Sequence, residues 1–136
     1  MNDLVTFLKA AACTAGAMCG YYLGPCDGLL TAILILVIVD YITGVLAAYV
    51  AKKLDSNVGF HGIIRKVVIF VIIGVANVLD VYVIKTGTAI RSGVICFYIA
   101  NEGLSILENA GHIGLPLPGN LLAALEQLKE HKEDHL

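Results

Sequence analysis

Acidic side chains inside long apolar segments constrain this chain more than any other feature of its sequence. Asp40, Asp80 and Glu102 each lie in a segment that is long enough, or nearly so, to cross a lipid bilayer. A charged residue at the bilayer centre costs about 2.5 to 3.5 kcal/mol on insertion scales, and such residues usually face a bundle interior or a water-filled path. The sequence therefore predicts a polar path inside a membrane protein.

The composition agrees with a location in a membrane. Of the 136 residues, 58% are hydrophobic and 15% are charged, whereas soluble domains average about 25% charged residues. With about 20 residues for each crossing, this length allows three or four transmembrane helices and short loops. The sequence predicts an all-α fold and one membrane domain over residues 1–136, and its net charge of −2 argues against a nucleic-acid partner.

Four apolar segments are predicted to span the membrane, near residues 4–24, 28–51, 65–85 and 88–107. The clearest is 28–51, where Leu, Ile and Val contribute about −4 to −8 kcal/mol and outweigh about +3 kcal/mol for Asp40. The segment 88–107 is barely stable alone because it carries both Arg91 and Glu102. The first segment is rich in Ala, Gly and Cys, so three spans are the alternative to four.

The basic residues predict the orientation. Lys52, Lys53, Arg65 and Lys66 flank one loop, which should therefore face the cytoplasm. The tail 110–136 is then cytoplasmic, and the N-terminus is cytoplasmic if there are four spans. After Asn109 the segment GHIGLPLPG should end the last membrane helix, because proline lacks an amide donor. A short C-terminal amphipathic helix is predicted beyond it, with one apolar face formed by Leu121, Leu122, Leu125 and Leu128.

One polar stripe makes the fourth segment a candidate for lining water. At 100° per residue its polar side chains fall within about 60° of arc, and such a stripe cannot face lipid. Asp40 lies at the middle of the second segment with Thr43 beside it. The residues predicted to line or gate a pore are Asp40, Thr43, Arg91, Tyr98, Glu102 and Ser105.

Ion pairing is the alternative role for the acids. Asp80 and Arg91 lie in the outer halves of their segments, where they could form a structural ion pair. Asp40 is expected to have no cation at matching depth, and Glu102 to reach only Arg65 or Lys66. Asp40 and Glu102 are therefore the stronger candidates for function.

Small residues at regular spacing predict two helix-packing faces. Residues at every fourth position let membrane helices approach closely. The first face is formed by Ala12, Gly16, Gly20 and Gly24, and the second by Gly44 and Ala48.

The order of these short motifs resembles the bacteriophage holin family, of the toxin-secretion and phage-lysis type that includes the clostridial toxin-release holins. The resemblance covers roughly residues 35–130, and its most specific part is 102–118. It rests on Asp40, Gly44 and Ala48, then on Gly59, Gly62, Arg65 and Lys66, and then on Glu102, Ser105, Ile106, Leu107, Asn109, Gly114, Leu115, Pro116 and Pro118.

This resemblance implies a function. Members of the family accumulate in the bacterial cytoplasmic membrane, self-associate, and open pores or lesions through which an endolysin or a toxin leaves the cell. The expected partners are thus the lipid bilayer, other copies of the chain and a passenger protein.

Two other classes of function remain open from the residues. A small ion-coupled transporter or cation channel would use the intramembrane carboxylates to bind or relay cations. A scaffold subunit of the membrane is the other class. An enzyme is not expected, because the sequence shows no His/Cys cluster, serine–base arrangement or phosphate-binding loop, and neither a metal nor a cofactor is implied.

Overall fold

The computed structural model describes residues 2–121 and 123. It contains four long helices: α1 (Asn2–Leu23), α2 (Gly28–Val50), α3 (Ser56–Val78) and α4 (Ala89–Ile113). Helix α3 continues into a π-helical turn, Leu79–Val83. All four helices, with the π-helical turn counted as part of α3, are long and apolar enough to cross a membrane. The predicted all-α class with four membrane-length helices is confirmed.

Side chains and glycine set the helix ends. Asp27 caps α2 by accepting a hydrogen bond from the Leu30 amide at 2.9 Å, and Asp55 caps α3 through the Asn57 amide at 2.8 Å. Helix α4 ends at Gly114, whose φ of +99° lies in the left-handed region that favours glycine. These caps place the boundaries of the helices at polar residues in the loops.

Two predicted boundaries are wrong. Helix α3 begins at Ser56 rather than at residue 65. The Asp55 side chain caps its first turn, and the residues that follow are compatible with a helix. Helix α4 continues past Asn109 to Ile113, because Gly111 is tolerated inside the helix and the left-handed turn comes only at Gly114. Lys66 therefore lies about 15 Å along α3 from its first residue, and not at the end of a span.

The helices are arranged around α4. It packs against both α2 and α3, and α1 contacts α3. The pairing of side chains along their lengths shows that α2 and α4 run in the same direction and α3 runs in the opposite one. A buried apolar layer lies between these three helices and consists of Ile33, Val37, Ile69, Ile73 and Ile95.

Helix α1 is attached to the other helices mainly by its last residues. The Tyr22 hydroxyl donates a hydrogen bond to the Val71 carbonyl at 2.7 Å. Its ring lies against Gly74, where an added Cβ would overlap the ring carbon Cε1. Gly24 makes a similar close approach, because a Cβ there would lie 2.5 Å from Asn77 Oδ1. Any larger residue at Gly74 would displace Tyr22.

The predicted packing faces are used only in part within one chain. Ala12, Gly16 and Gly20 are exposed, and a Cβ at Gly16 or Gly20 would meet nothing within 4 Å. A packing role for these three residues stays a prediction about contacts between copies. On α2, a Cβ at Gly44 would make an ordinary contact with Asn109 Nδ2 at 3.6 Å.

The predicted C-terminal amphipathic helix falls on residues from Leu122 onward, which lie outside the described residues except for Ala123.

Candidate functional site

A lysine lies between two carboxylates at the middle of the helices. Lys66 Nζ of α3 lies 2.5 Å from Asp40 Oδ2 of α2 and 2.5 Å from Glu102 Oε2 of α4. Since both oxygens contact one nitrogen, they lie within about twice that distance of each other. Asp40 and Glu102 are each close to the midpoint of their own helix. We call these three residues the Lys66 cluster.

The structure corrects one expectation and confirms another. The prediction that Asp40 has no cation partner at matching depth is wrong, because α3 begins at Ser56 and carries Lys66 into the bundle. The expectation that Glu102 reaches Lys66 is confirmed. The longer α4 also moves the midpoint of that helix toward Glu102, so that Asp40 and Glu102 meet at one depth.

Amide and hydroxyl groups supply the remaining hydrogen bonds around Asp40. Asn109 Nδ2 donates to Asp40 Oδ1 at 3.0 Å and to Thr43 Oγ1 at 3.1 Å. The Thr43 hydroxyl donates to the Asp40 carbonyl at 3.0 Å. Thr43 therefore orients the surroundings of Asp40 and is part of its hydrogen-bond network.

With all three groups ionised, the Lys66 cluster would carry one excess negative charge. Two carboxylates face one ammonium group, and none of these groups lies at a helix end whose dipole could compensate the difference. The side chains of Lys66, Asp40 and Glu102 are 15%, 10% and 9% exposed, so the cluster is shielded but not sealed. A buried charge without full compensation is unstable, which makes this cluster the part of the bundle most able to change state.

The exposed fraction of the cluster faces a cleft of about 960 Å³. The cleft lies between α2, the first half of α3 and α4, and extends from the α2–α3 loop to the Lys66 cluster. Its walls are mainly apolar, with a polar strip on α4. The polar residues of α4 that line it are Tyr98, Asn101, Glu102, Ser105 and Asn109.

A second polar group joins the ends of all four helices. Arg91 is fully buried, and its guanidinium donates to Asp27 Oδ2 at 2.8 Å. It also donates to the Leu23 carbonyl at 2.7 Å and to the Pro25 carbonyl at 2.7 Å. The hydrogen bond from Arg91 holds the pKa of the Asp27 carboxyl below its ordinary value. Arg91 thus holds the loop between α1 and α2 against α4.

Asp80 caps α4 from the π-helical turn. Its carboxylate accepts hydrogen bonds from the backbone amides of Ile90 at 3.1 Å and Arg91 at 2.7 Å, and from the Thr86 hydroxyl at 2.5 Å. These amides belong to the first turn of α4, whose own N-cap residue, Thr88, makes no side-chain capping bond. The negative carboxylate therefore lies at the positive end of the helix dipole.

The predicted ion pair between Asp80 and Arg91 is wrong. The two residues do touch, but through the backbone amide of Arg91, while its guanidinium turns to Asp27. The reason is that the side chain can satisfy three acceptors in the α1–α2 loop, and Asp80 is already satisfied by the start of α4. We call Asp27, Asp80 and Arg91 the Arg91 cluster.

The structure divides the predicted pore-lining residues into two groups. Asp40, Tyr98, Glu102 and Ser105 line the cleft, and Thr43 bonds to the residues at its end. Arg91 lies apart from them, because the apolar layer separates the two clusters. On every one of the three packed helices, isoleucine or valine stands between a residue of one cluster and a residue of the other.

Sequence reasoning missed two residues of these clusters, Lys66 and Asp27, and also Asn77. Lys66 was interpreted as an interfacial residue, although its spacing from the Asp55 cap could have placed it inside α3. Asp27 was not singled out, although its position before the α2 apolar run is a typical N-cap signal. Asn77, which donates to the Tyr22 carbonyl at 3.1 Å, gave no local signal beyond being an amide within an apolar segment. No group of side chains suited to a metal ion occurs in the described part of the chain.

These features define a helical membrane protein with a cluster of acidic and basic side chains near the midpoints of three helices, and sequence comparison gives its family. The sequence model of the bacteriophage holin family matches residues 17–130. The chain belongs to the bacteriophage holin family, which confirms the resemblance predicted from its motifs. No solved structure matches the chain.

Related proteins cover most or all of the chain. An uncharacterized 14.9 kDa protein from the nagH 3' region of Clostridium perfringens is 37% identical over 97% of this chain and 100% of its own length. An uncharacterized protein of Halalkalibacterium halodurans is 40% identical over 90% of this chain and 93% of its own length. A protein described as a probable holin, from Bacillus phage phi105, is 36% identical over 76% of each chain.

Proposed function

We propose that this holin-like membrane protein assembles with copies of itself in the bacterial cytoplasmic membrane and forms pores or lesions during phage lysis. The passenger would be an endolysin or a toxin, and the chain itself would carry out no enzymatic step. Family membership and the four membrane-length helices support this placement. The basic residues near the α2–α3 loop support an orientation with that loop and the C-terminus in the cytoplasm.

The single observation that carries the mechanism is the Lys66 cluster. Within one chain, Lys66 connects α3 to both α2 and α4 and covers the polar strip of α4. If these contacts separate, the polar strip needs either another polar surface or water, because lipid cannot solvate it. We propose that, when copies of the chain assemble, Lys66 separates from its two carboxylate partners and the polar strip of α4 then lines water.

Helix α1 supplies a surface for such an assembly. It has no buried residue within one chain, and its small residues Ala12, Gly16 and Gly20 are exposed. Close packing of small residues is a common way for membrane helices to associate. Self-association would also make opening depend on the amount of protein, as mass action requires.

Leucine substitutions of the two carboxylates test the proposal. Asp40→Leu and Glu102→Leu each leave Lys66 with one carboxylate partner, so the remaining pair is neutral and the helices stay joined. Leucine at either site should reduce the contact of the polar strip with water. We therefore expect less leakage of a small dye from bacteria that express the variant. Val39→Leu, on an exposed part of α2, is the matched control. Undiminished leakage in both carboxylate variants would contradict the proposal.

The size of the released solute separates the proposal from its alternative. Fluorescent proteins of graded size, expressed with the chain, should leave the cell if it forms lesions for an endolysin or toxin. The buried carboxylates also fit a small ion-coupled transporter or cation channel. Ion flux without loss of any protein would favour that alternative.

A further inference from the structure

The cleft reaches the Lys66 cluster from one side of the bundle only. Its lining comes from the α2–α3 loop, from the parts of the helices between that loop and the cluster, and from Val68, Ile69 and Tyr98 at the edge of the apolar layer. On the other side of the cluster lies the apolar layer, in which Ile33, Ile73 and Ile95 are fully buried. Beyond that layer, Arg91 is fully buried as well. The cluster is therefore open toward one membrane face and closed toward the other.

We infer that the cleft is a one-sided water crevice through which the Lys66 cluster binds one proton, on Asp40 or Glu102, from the membrane face that carries the α2–α3 loop. The inference names a ligand for the site proposed above. It rests on the membrane placement in that proposal, and it requires nothing about the size or existence of a lesion.

The charges of the cluster favour one bound proton. With all three groups ionised the cluster carries −1, and loss of a proton from Lys66 would make it −2. Only addition of one proton to a carboxylate oxygen gives a neutral cluster, and neutral groups are those that a low-dielectric interior favours. Either carboxylate can take that proton, since both contact the same Nζ and the other then remains paired with Lys66. The step forms one O–H bond and takes its proton from water.

The polarity of the cleft favours water as the source. Next to Glu102, α4 presents Asn101, Ser105 and Asn109 to the cleft, and these groups can hydrogen-bond to water along the path. In the described residues, every fully buried side-chain nitrogen and oxygen has a hydrogen-bond partner. The groups that need water are thus those exposed to the cleft, not those sealed on the other side.

Other charged or titratable groups also line the cleft and contribute to its electrostatic potential. The cluster itself contributes one group from each of α2, α3 and α4. The remaining groups that line the cleft are Tyr41 of α2, Lys53 and Asp55 of the loop, Arg65 of α3 and Tyr98 of α4. Tyr98 packs against the apolar layer. The other four groups lie on the loop side of the cluster, so they leave the sidedness unchanged.

Cysteine accessibility tests the sidedness. The four native cysteines, all exposed and unpaired, are first replaced by serine. Single cysteines are then introduced as Ser105→Cys in the cleft, Ile95→Cys in the apolar layer and Leu54→Cys as a marker of the α2–α3 loop. The protein is reconstituted in vesicles that retain an entrapped dye. A charged thiol reagent that cannot cross the membrane is added to one side at a time, because the reaction requires a hydrated thiolate.

We expect Ser105→Cys to react only from the side on which Leu54→Cys reacts, and Ile95→Cys to react from neither side. Reaction of Ser105→Cys from the opposite side would overturn the one-sided crevice. Reaction from neither side would overturn it as well, since the cleft would then be filled by lipid or by another helix. Reaction of Ile95→Cys would show that the apolar layer does not seal the bundle.

Infrared difference spectroscopy on the same vesicles tests the proton. A protonated carboxylic acid has a C=O stretch that disappears when the acid ionises. We expect this band in the unmodified chain, and we expect its loss in both Asp40→Asn and Glu102→Gln, since each leaves Lys66 paired with one ionised carboxylate. Raising the pH on the loop side should remove the band, whereas raising it on the other side should not. Absence of the band from the unmodified chain, or its persistence in both variants, would overturn the bound proton.

These measurements separate the inference from the proposed function. They use vesicles that remain intact, so a chain that never forms a lesion can still show the crevice and the proton. Conversely, a chain that releases proteins from cells but shows neither would uphold the proposed function and overturn the inference.

Discussion

The Arg91 cluster and the Lys66 cluster contain the same charges, two carboxylates and one cation, but they differ in how the extra negative charge is compensated. At the Arg91 cluster, the start of α4 compensates Asp80 through two backbone amides. At the Lys66 cluster, three helices meet at their midpoints, where no helix end is available. The position of each cluster along the helices therefore decides its behaviour. The Arg91 cluster, at helix ends, is held in one arrangement, whereas the Lys66 cluster, at helix midpoints, can change its contacts.

Burial follows the same division. Arg91 and Asp80 are both fully buried, and Arg91 bonds to two backbone carbonyls as well as to Asp27. The Lys66 side chain keeps 15% of its surface exposed, toward the cleft. About 16 Å of helix separates Arg91 from Glu102 along α4, and the apolar layer fills that distance.

Substitution of Arg91 should have the largest effect on stability. Arg91→Leu leaves the Asp27 carboxylate and two backbone carbonyls without their donor. We expect a loss of about 3 kcal/mol in the free energy of unfolding, the lower end for breaking a buried ion pair, because Asp27 remains partly exposed. Titration with denaturing detergent, followed by circular dichroism, measures the loss. Arg65→Leu is the control, since Arg65 is exposed, and equal stability of the two variants would remove the distinction between the clusters.

Substitution of Lys66 should have a smaller effect. Lys66→Met leaves two carboxylates together, but protons from the cleft can neutralise them, so we expect a loss of about 2 kcal/mol. The triple variant with Asp40→Asn and Glu102→Gln should regain most of this stability, because it leaves no unpaired charge. The same detergent titration applies. A loss greater than that of Arg91→Leu, or no recovery in the triple variant, would reverse the comparison.

Substitution of Asp80 tests the compensation by α4. Asp80→Asn keeps an acceptor but removes the charge at the N-terminus of the helix, and we expect a loss of about 1 kcal/mol. Hydrogen exchange at the amides of Ile90 and Arg91 should become faster. Asp3→Asn, at the first turn of the exposed helix α1, is the matched control. Unchanged exchange at both amides would show that Asp80 is not the cap of α4.

The pH dependence of Asp27 should give the smallest effect. Its pKa in the folded chain lies below the ordinary value of 3.8, so its bond to Arg91 contributes stability above that value. The contribution is lost as the pH falls through the lower folded-state pKa. Because the Asp27 side chain is 37% exposed, solvent screens the effect. Asp27→Asn should remove this part of the acid-induced loss in detergent titrations at neutral and acidic pH, and an identical loss in the variant would contradict the assignment.

Local patterns in the sequence were sufficient to predict the helices. Segment length and apolar content predict four membrane-length helices, and the structure, over the residues it describes, contains four helices of that length and composition. The polar stripe on the fourth segment also predicts that Tyr98, Glu102 and Ser105 share one face, and all three line the cleft. These properties depend only on the order of residues along one helix, which periodicity shows directly.

Partners across helices were harder to predict. Sequence reasoning placed Lys66 at an interface and paired Arg91 with Asp80, and both assignments failed because helix ends were set by caps that lie outside the apolar runs. A shift in the start of α3 moves Lys66 along the bundle by 1.5 Å for each residue. An error of several residues is therefore enough to exchange one ionic partner for another.

The sequence by itself determined that this chain is a helical membrane protein with carboxylates in its spans, and that its motifs belong to the bacteriophage holin family. The apolar residues of the clearest segment, 28–51, outweigh the cost of Asp40, so its insertion does not depend on a partner for that acid. Only the tertiary structure decided that Asp40 and Glu102 share Lys66 while Asp80 caps α4. Those pairings depend on the depth at which three separate helices meet, and that depth is set by their caps and by the packing of the apolar layer between them.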